Sequence, residues 1–93
     1  MTIGLLKLTF HLPECGSLKE KRRVFLCLRD LLKNRFNISL VEVAEQDKWQ
    51  KMVLAVVAVG TEQKAVDCSL AKIVDLAKEF DGAELLDYKL EWL

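Results

Sequence analysis

Met52-Val53-Leu54-Ala55-Val56-Val57-Ala58-Val59 is an unbroken apolar run of eight residues, half of them valine. It is shorter than most helices, and Gly60-Thr61 closes it, so it reads as a strand buried on both faces. A strand with no polar side belongs in the middle of a sheet rather than at its edge. Upstream of it, Ile38–Ala44 reads as a second, shorter strand. The polar segment Ala44-Glu45-Gln46-Asp47-Lys48-Trp49-Gln50-Lys51 joins the two. Trp49 either caps the core beneath that connection, the favoured expectation, or serves as a binding anchor.

Farther upstream, Leu6, Leu8, Phe10 and Leu12 alternate with Lys7, Thr9 and His11, the period of a strand. Pro13 ends it by removing a ladder donor, and Gly16 marks a turn. Ser17-Leu18-Lys19-Glu20 then fits a capping box, in which the serine and glutamate side chains satisfy free amides at a helix start. At helical spacing Leu18, Val24, Phe25, Leu28, Leu31, Leu32 and Phe36 share one arc, with Lys19, Arg22, Arg23 and Lys33 opposite. Lys21 falls inside the apolar arc. Its stem is expected to lie along the core while its ammonium reaches water near Pro13–Gly16. Asn34 or Asn37 is expected to end the helix in the left-handed conformation.

Downstream of the apolar run, Thr61 is positioned to cap a second helix. Its buried arc comprises Val66, Leu70, Ile73, Val74, Ala77 and Phe80, and Asp81-Gly82 stops it. Leu86, Tyr88, Leu90 and Trp92 alternate with charged residues in a last strand. The order strand, helix, strand, strand, helix, strand is a split βαβ unit. It predicts an α+β, ferredoxin-like βαββαβ domain over residues 1–93, with antiparallel strand order 4-1-3-2 and two helices on one face. The uncovered face would carry Ile3, Leu5, Lys7, Thr9 and His11 on the first strand and Val53, Ala55, Val57 and Val59 on the third. An exposed aliphatic patch of that kind is unusual on a monomer, so a homodimer formed through the open sheet is expected.

The 93 residues are 52% hydrophobic and 30% charged, which excludes a disordered chain, and no apolar stretch reaches the roughly 18 residues of a membrane span. The first residues lack the basic region of a secretory signal, and Cys15, Cys27 and Cys68 form no C-x-x-C pair. These features predict a cytoplasmic protein with reduced thiols, no disulfide framework and no zinc site. Charge is polarised along the chain. Residues 1–36 carry eight basic and three acidic side chains, a net of +5, and residues 37–93 carry six and eleven, a net of −5. Lys19, Lys21, Arg22, Arg23, Arg29 and Lys33 are the candidate nucleic-acid contacts. Base stacking on the sheet, as in recognition-motif domains of this topology, is not expected, because the open central positions are aliphatic.

Signals for catalysis are sparse. His11 is the single histidine, and no Ser–His–Asp or Cys–His set, phosphate-binding glycine loop or metal-ligand spacing is evident. Glu42, Glu45 and Asp47 are expected to face water around the hairpin. A small-molecule site at His11, Cys15 and Lys21 is the weakest alternative. The expectation is a chain with no cofactor, no metal and no enzymatic activity.

His11-Leu12-Pro13, Ser17-Leu18-Lys19-Glu20-Lys21-Arg22, Arg35-Phe36-Asn37 and Gln46-Asp47-Lys48-Trp49-Gln50 together resemble the YlxP-like family of small bacterial proteins of unknown function. That resemblance spans most of the chain and implies a ferredoxin-like fold. It also implies a link to translation or ribosome maturation, since genes of this family often lie beside those of a translation initiation factor and a ribosome-binding factor. It supplies no catalytic residues. The functional expectation is therefore a non-enzymatic RNA- or ribosome-associated factor acting through its basic helix, and the alternative is a homodimeric protein-interaction module.

Overall fold

Alternation along the chain pairs into one antiparallel sheet in the computed structural model, which describes residues 1–45 and 47–93. Gln46 of the connecting segment lies outside the described residues. The elements are β1 (Thr2–His11), α1 (Leu18–Arg35), β2 (Ser39–Ala44), β3 (Lys51–Gly60), α2 (Gln63–Glu79) and β4 (Glu84–Trp92). Strand order is β2-β3-β1-β4, so the apolar run is central and borders β1, as its composition demands.

Register fixes which side chains share a face. Leu6, Leu8 and Phe10 of β1 stand opposite Val56, Leu54 and Met52 of β3, and all six are fully or almost fully buried against the helices. Leu28 and Leu32 of α1 and Val66, Leu70, Ile73, Val74 and Ala77 of α2 close that core. The seat of α2 is tight: a Cβ on Gly4 would lie 2.7 Å from the Leu70 side chain, and one on Gly60 2.8 Å from that of Val66. Only a residue without a side chain lets the helix come this near to the sheet.

The other face is only partly buried. Val53 is buried there, Ile3, Leu5, Ala55 and Val57 are half-buried, and Val41 and Val59 are each 56% exposed. On β4 the same face is charged, with Glu84, Asp87, Lys89 and Glu91 opposite His11, Thr9, Lys7 and Leu5. The register shifts between Thr9 and Phe10 of the β1–β4 pair and between Glu42 and Ala44 of the β2–β3 pair. No described helix is long and apolar enough to cross a membrane.

The helix ends depart from expectation in two places. Ser17 caps α1 as anticipated, its Oγ accepting from the Glu20 amide at 3.1 Å while Glu20 accepts from the Gly16 amide at 2.8 Å. At the other end neither Asn34 nor Asn37 is left-handed. Phe36 ends the helix in an extended conformation, where its ring can pack on the core edge. Thr61 does not cap α2. Glu62 holds that position without a side-chain bond, and the helix is retained by its buried face.

Candidate functional site

The six basic residues singled out from the sequence divide into three groups. Lys19, Arg22, Arg23 and Lys33 are exposed on the outer side of α1 and have no carboxylate partner among the described residues. The two acids of the helix are engaged elsewhere, Glu20 in the capping box and Asp30 with Arg29. Arg29 places two nitrogens 3.1 and 3.2 Å from one Asp30 oxygen and is only part-exposed, so it contributes little free charge to this ridge.

Lys21 does not belong to the ridge. It is 2% exposed, and its ammonium turns away from Pro13–Gly16 toward the β2–β3 hairpin. There it donates to the carbonyls of Glu45 at 2.6 Å and Lys48 at 2.7 Å, and it pairs with the Glu42 carboxylate at 2.7 Å. Three acceptors match the three protons of an ammonium, which is the condition for burying it. Snorkelling gives way here because two backbone carbonyls of the hairpin accept directly from the ammonium. A phosphate cannot reach this nitrogen, so Lys21 is withdrawn as a nucleic-acid contact. Glu42 likewise does not face water but looks toward α1, opposite the buried Leu54.

His11, Cys15 and Lys21 form no common site. Cys15 is buried, and its thiol donates to the Ser17 carbonyl at 3.2 Å. His11 lies at the end of β1 on the open side of the sheet, with Nδ1 3.1 Å from the Gln50 carbonyl. The Leu12 amide donates to that same carbonyl at 2.9 Å, and the Gln50 side chain reaches the Pro13 carbonyl at 3.4 Å.

The hairpin departs from the favoured expectation for Trp49. Trp49 does not cap the core. It stands 52% exposed in a shallow depression of 460 Å³ lined by His11, Asp47, Lys48, Trp49, Gln50 and Lys51. The Glu45 carboxylate lies 3.1 Å from the Lys48 ammonium and 3.8 Å from that of Lys51. The charge-assisted bond from Lys48, then its field, holds the Glu45 carboxyl below the usual glutamate range. Among the described residues, no group of three His, Cys, Asp or Glu side chains could hold a metal ion.

Comparison with solved structures bears on catalysis. The chain superposes on SnoaB, a cofactor-independent oxygenase from Streptomyces nogalater, with a TM-score of 0.57 and 17% identity, covering 100% of this chain and 92% of that one. A single-site variant of the same enzyme gives 0.55 and 17%, over 98% and 90% of the two chains. The expectation that the chain is not an enzyme is therefore withdrawn. The same outline carries catalysis without a cofactor in SnoaB, so missing cofactor motifs argue nothing against activity. At this identity the likeness is one of fold and brings none of that enzyme's chemistry with it. In sequence, the chain is 29% identical to the uncharacterized protein YlxP of Bacillus subtilis, over 97% of its length and 98% of that protein's. The model of a protein family of unknown function, DUF503, matches residues 3–90. With the βαββαβ order and the sequence strings at residues 11–13, 17–22 and 46–50 on the same side of the balance, the chain belongs to this YlxP-like DUF503 family.

Proposed function

We propose that this protein binds RNA, in the setting of the ribosome, through the outer side of α1. One observation carries the reading: Lys19, Arg22, Arg23 and Lys33 stand exposed on one helix, and none of them forms an ion pair among the described residues. Unpaired cations along about 21 Å of rigid helix, from Lys19 to Lys33, can meet several phosphates of one backbone together, which scattered surface charges do not. The family's expected connection with translation directs the choice to ribosomal RNA, and the unpaired, exposed Cys27 and Cys68 suit a reducing cytoplasm. Four phosphate contacts predict that affinity for a ribosomal RNA fragment falls roughly 50- to 150-fold between about 50 and 200 mM salt. Reversing charge at Arg22→Glu and Arg23→Glu together should remove most of the binding. Affinity indifferent to both salt and charge reversal would refute the reading.

A second reading has its own support. Val41 and Val59 leave an aliphatic strip open on the sheet, which a second copy of the chain would bury by a two-fold pairing of sheet faces. A dimer of this kind presents two α1 ridges on opposite outer sides. Sedimentation of the wild type as a dimer, and of Val59→Glu as a monomer, is the expected pair of results. A wild-type monomer at tens of micromolar removes this reading.

A further inference from the structure

Two energetically unfavourable features act on one short loop. The Lys21 ammonium is taken out of water to hold the Glu45 and Lys48 carbonyls. Glu45 itself has a φ of +58°, a left-handed conformation that is unfavourable for a residue bearing a Cβ. Strain and buried charge persist where surrounding structure over-determines them, and they concentrate at working sites. Here both immobilise the backbone immediately before Trp49. The following residue is pinned as well, since the Gln50 carbonyl accepts from Leu12 and lies 3.1 Å from His11 Nδ1. Such a frame could seat an indole on the core, yet this one holds it outside.

We propose that Trp49 is a stacking platform for an unpaired base of single-stranded RNA. The depression is wide and shallow, which suits a flat ring laid on a flat ring rather than an enclosed ligand. Because the loop is already ordered, stacking requires little further loss of entropy. In the neutral imidazole, the contact to the Gln50 carbonyl places the proton on Nδ1 and leaves Nε2 of His11 as an acceptor toward a base edge. Lys48 and Lys51 share one carboxylate, so either ammonium can turn to a phosphate beside the stacked base. The class of partner rests on the α1 reading: the helical turn that delivers Lys21 to this loop also carries Lys19 and Arg22 on its outer side. A duplex hides its base faces, so the indole selects unpaired segments.

The test uses the full chain with Trp92→Phe, which leaves Trp49 as the single indole. This protein is titrated with a single-stranded RNA of roughly twelve nucleotides and with a duplex of equal length. The expected result is quenching of Trp49 emission by the single strand. Trp49→Ala should weaken single-strand binding about 5- to 150-fold and leave duplex binding unchanged, while Trp49→Phe retains part of the difference. Circular dichroism melts of each variant exclude unfolding as the cause. Wild-type affinity of Trp49→Ala, with binding lost in the Arg22→Glu, Arg23→Glu variant, overturns the stacking proposal and leaves the α1 reading standing. The reverse pattern retains stacking and overturns the α1 reading. No binding of either RNA overturns both.

Discussion

The two helices are held to the same sheet by opposite means. α2 is seated by shape: Val66 and Leu70 press onto β1 and β3 where Gly4 and Gly60 leave room, Ile73 is fully buried in the same core, and no side chain caps the helix start. α1 buries fewer residues, Lys21, Leu28 and Leu32, and its first turn is fastened by an ammonium with three acceptors, by the Ser17 cap and by the Glu20 carboxylate on the Gly16 amide. A seat made by shape is sensitive to volume at every contact, as the close approach at Gly4 and Gly60 shows. A seat made by a buried charge is sensitive to direction as well, because a misplaced acceptor leaves a proton of the ammonium unsatisfied. The half of the molecule that carries the exposed cations and the exposed indole is the half held by the directional contacts.

The largest effects should separate these two kinds of seat. Lys21→Met removes the donor from two carbonyls and the partner from Glu42, and it is expected to cost about 3–5 kcal/mol. Ile73→Ala empties part of the α2 seat and is expected to cost about 2–5 kcal/mol. The contrast lies in what else changes. Lys21→Met should free the hairpin, raising amide exchange at Lys48–Lys51 far above the global rate, whereas Ile73→Ala should lower stability everywhere together. Adding Glu42→Leu to Lys21→Met should recover part of the loss, since an apolar pair can replace a buried ionic one. Hairpin amides that exchange alike in both variants would show that Lys21 is one more core residue and that the comparison has no content.

How much of this was legible in the sequence follows the same division. The alternation of Leu6, Leu8 and Phe10 and the two-faced run Met52–Val59 determined strand order and the uncovered face, because burial acts on every residue of a strand at once. The arc of α2 was readable for the same reason. Lys21 was marked as anomalous within an apolar arc, but the direction of its ammonium was not readable. Two of its three acceptors are backbone carbonyls 24 and 27 residues away, which carry no residue signature, and nothing in the spacing singles out Glu42 as the third. Trp49 was misplaced because hydrophobicity argues for burial, while the loop geometry that keeps it outside depends on a left-handed Glu45 and on those same bonds. The ridge was half legible. Its composition gave the cations, and only the structure shows that Asp30 engages Arg29 rather than its neighbours across the helix.

A smaller effect tests the two helix starts directly. Ser17→Ala should cost about 1 kcal/mol, the usual value of a capping hydroxyl, because the Glu20 amide loses its acceptor. Thr61→Ala should change stability by no more than a few tenths of a kcal/mol, because Glu62 occupies the cap position and makes no side-chain bond there. Chemical denaturation of the two variants beside the wild type measures both. Equal losses would mean that α2 also leans on a polar cap in solution and that its seat is not a matter of shape alone.

The smallest effect concerns acid. Lys48 holds the Glu45 carboxyl below the usual glutamate value of about 4.3, with Lys51 and Lys21 adding to this and desolvation opposing it. A carboxyl depressed on folding stabilises the native state above its unfolded pKa, and that contribution is lost as pH falls through the lower folded value. The carbonyl of the same residue accepts from Lys21, so this slight acid sensitivity sits at the joint between hairpin and helix. Val66, Leu70 and Ile73 contain nothing that titrates, and the α2 seat should be indifferent over this range. A carbon-detected titration of the Glu45 carboxyl should give a midpoint below the ordinary glutamate range in the wild type, moving upward in Lys48→Met. If the midpoint is ordinary in both, the Lys48 contact is not formed in solution. Lys21 then holds the hairpin alone, which sharpens rather than blurs the difference between the two ends of the sheet.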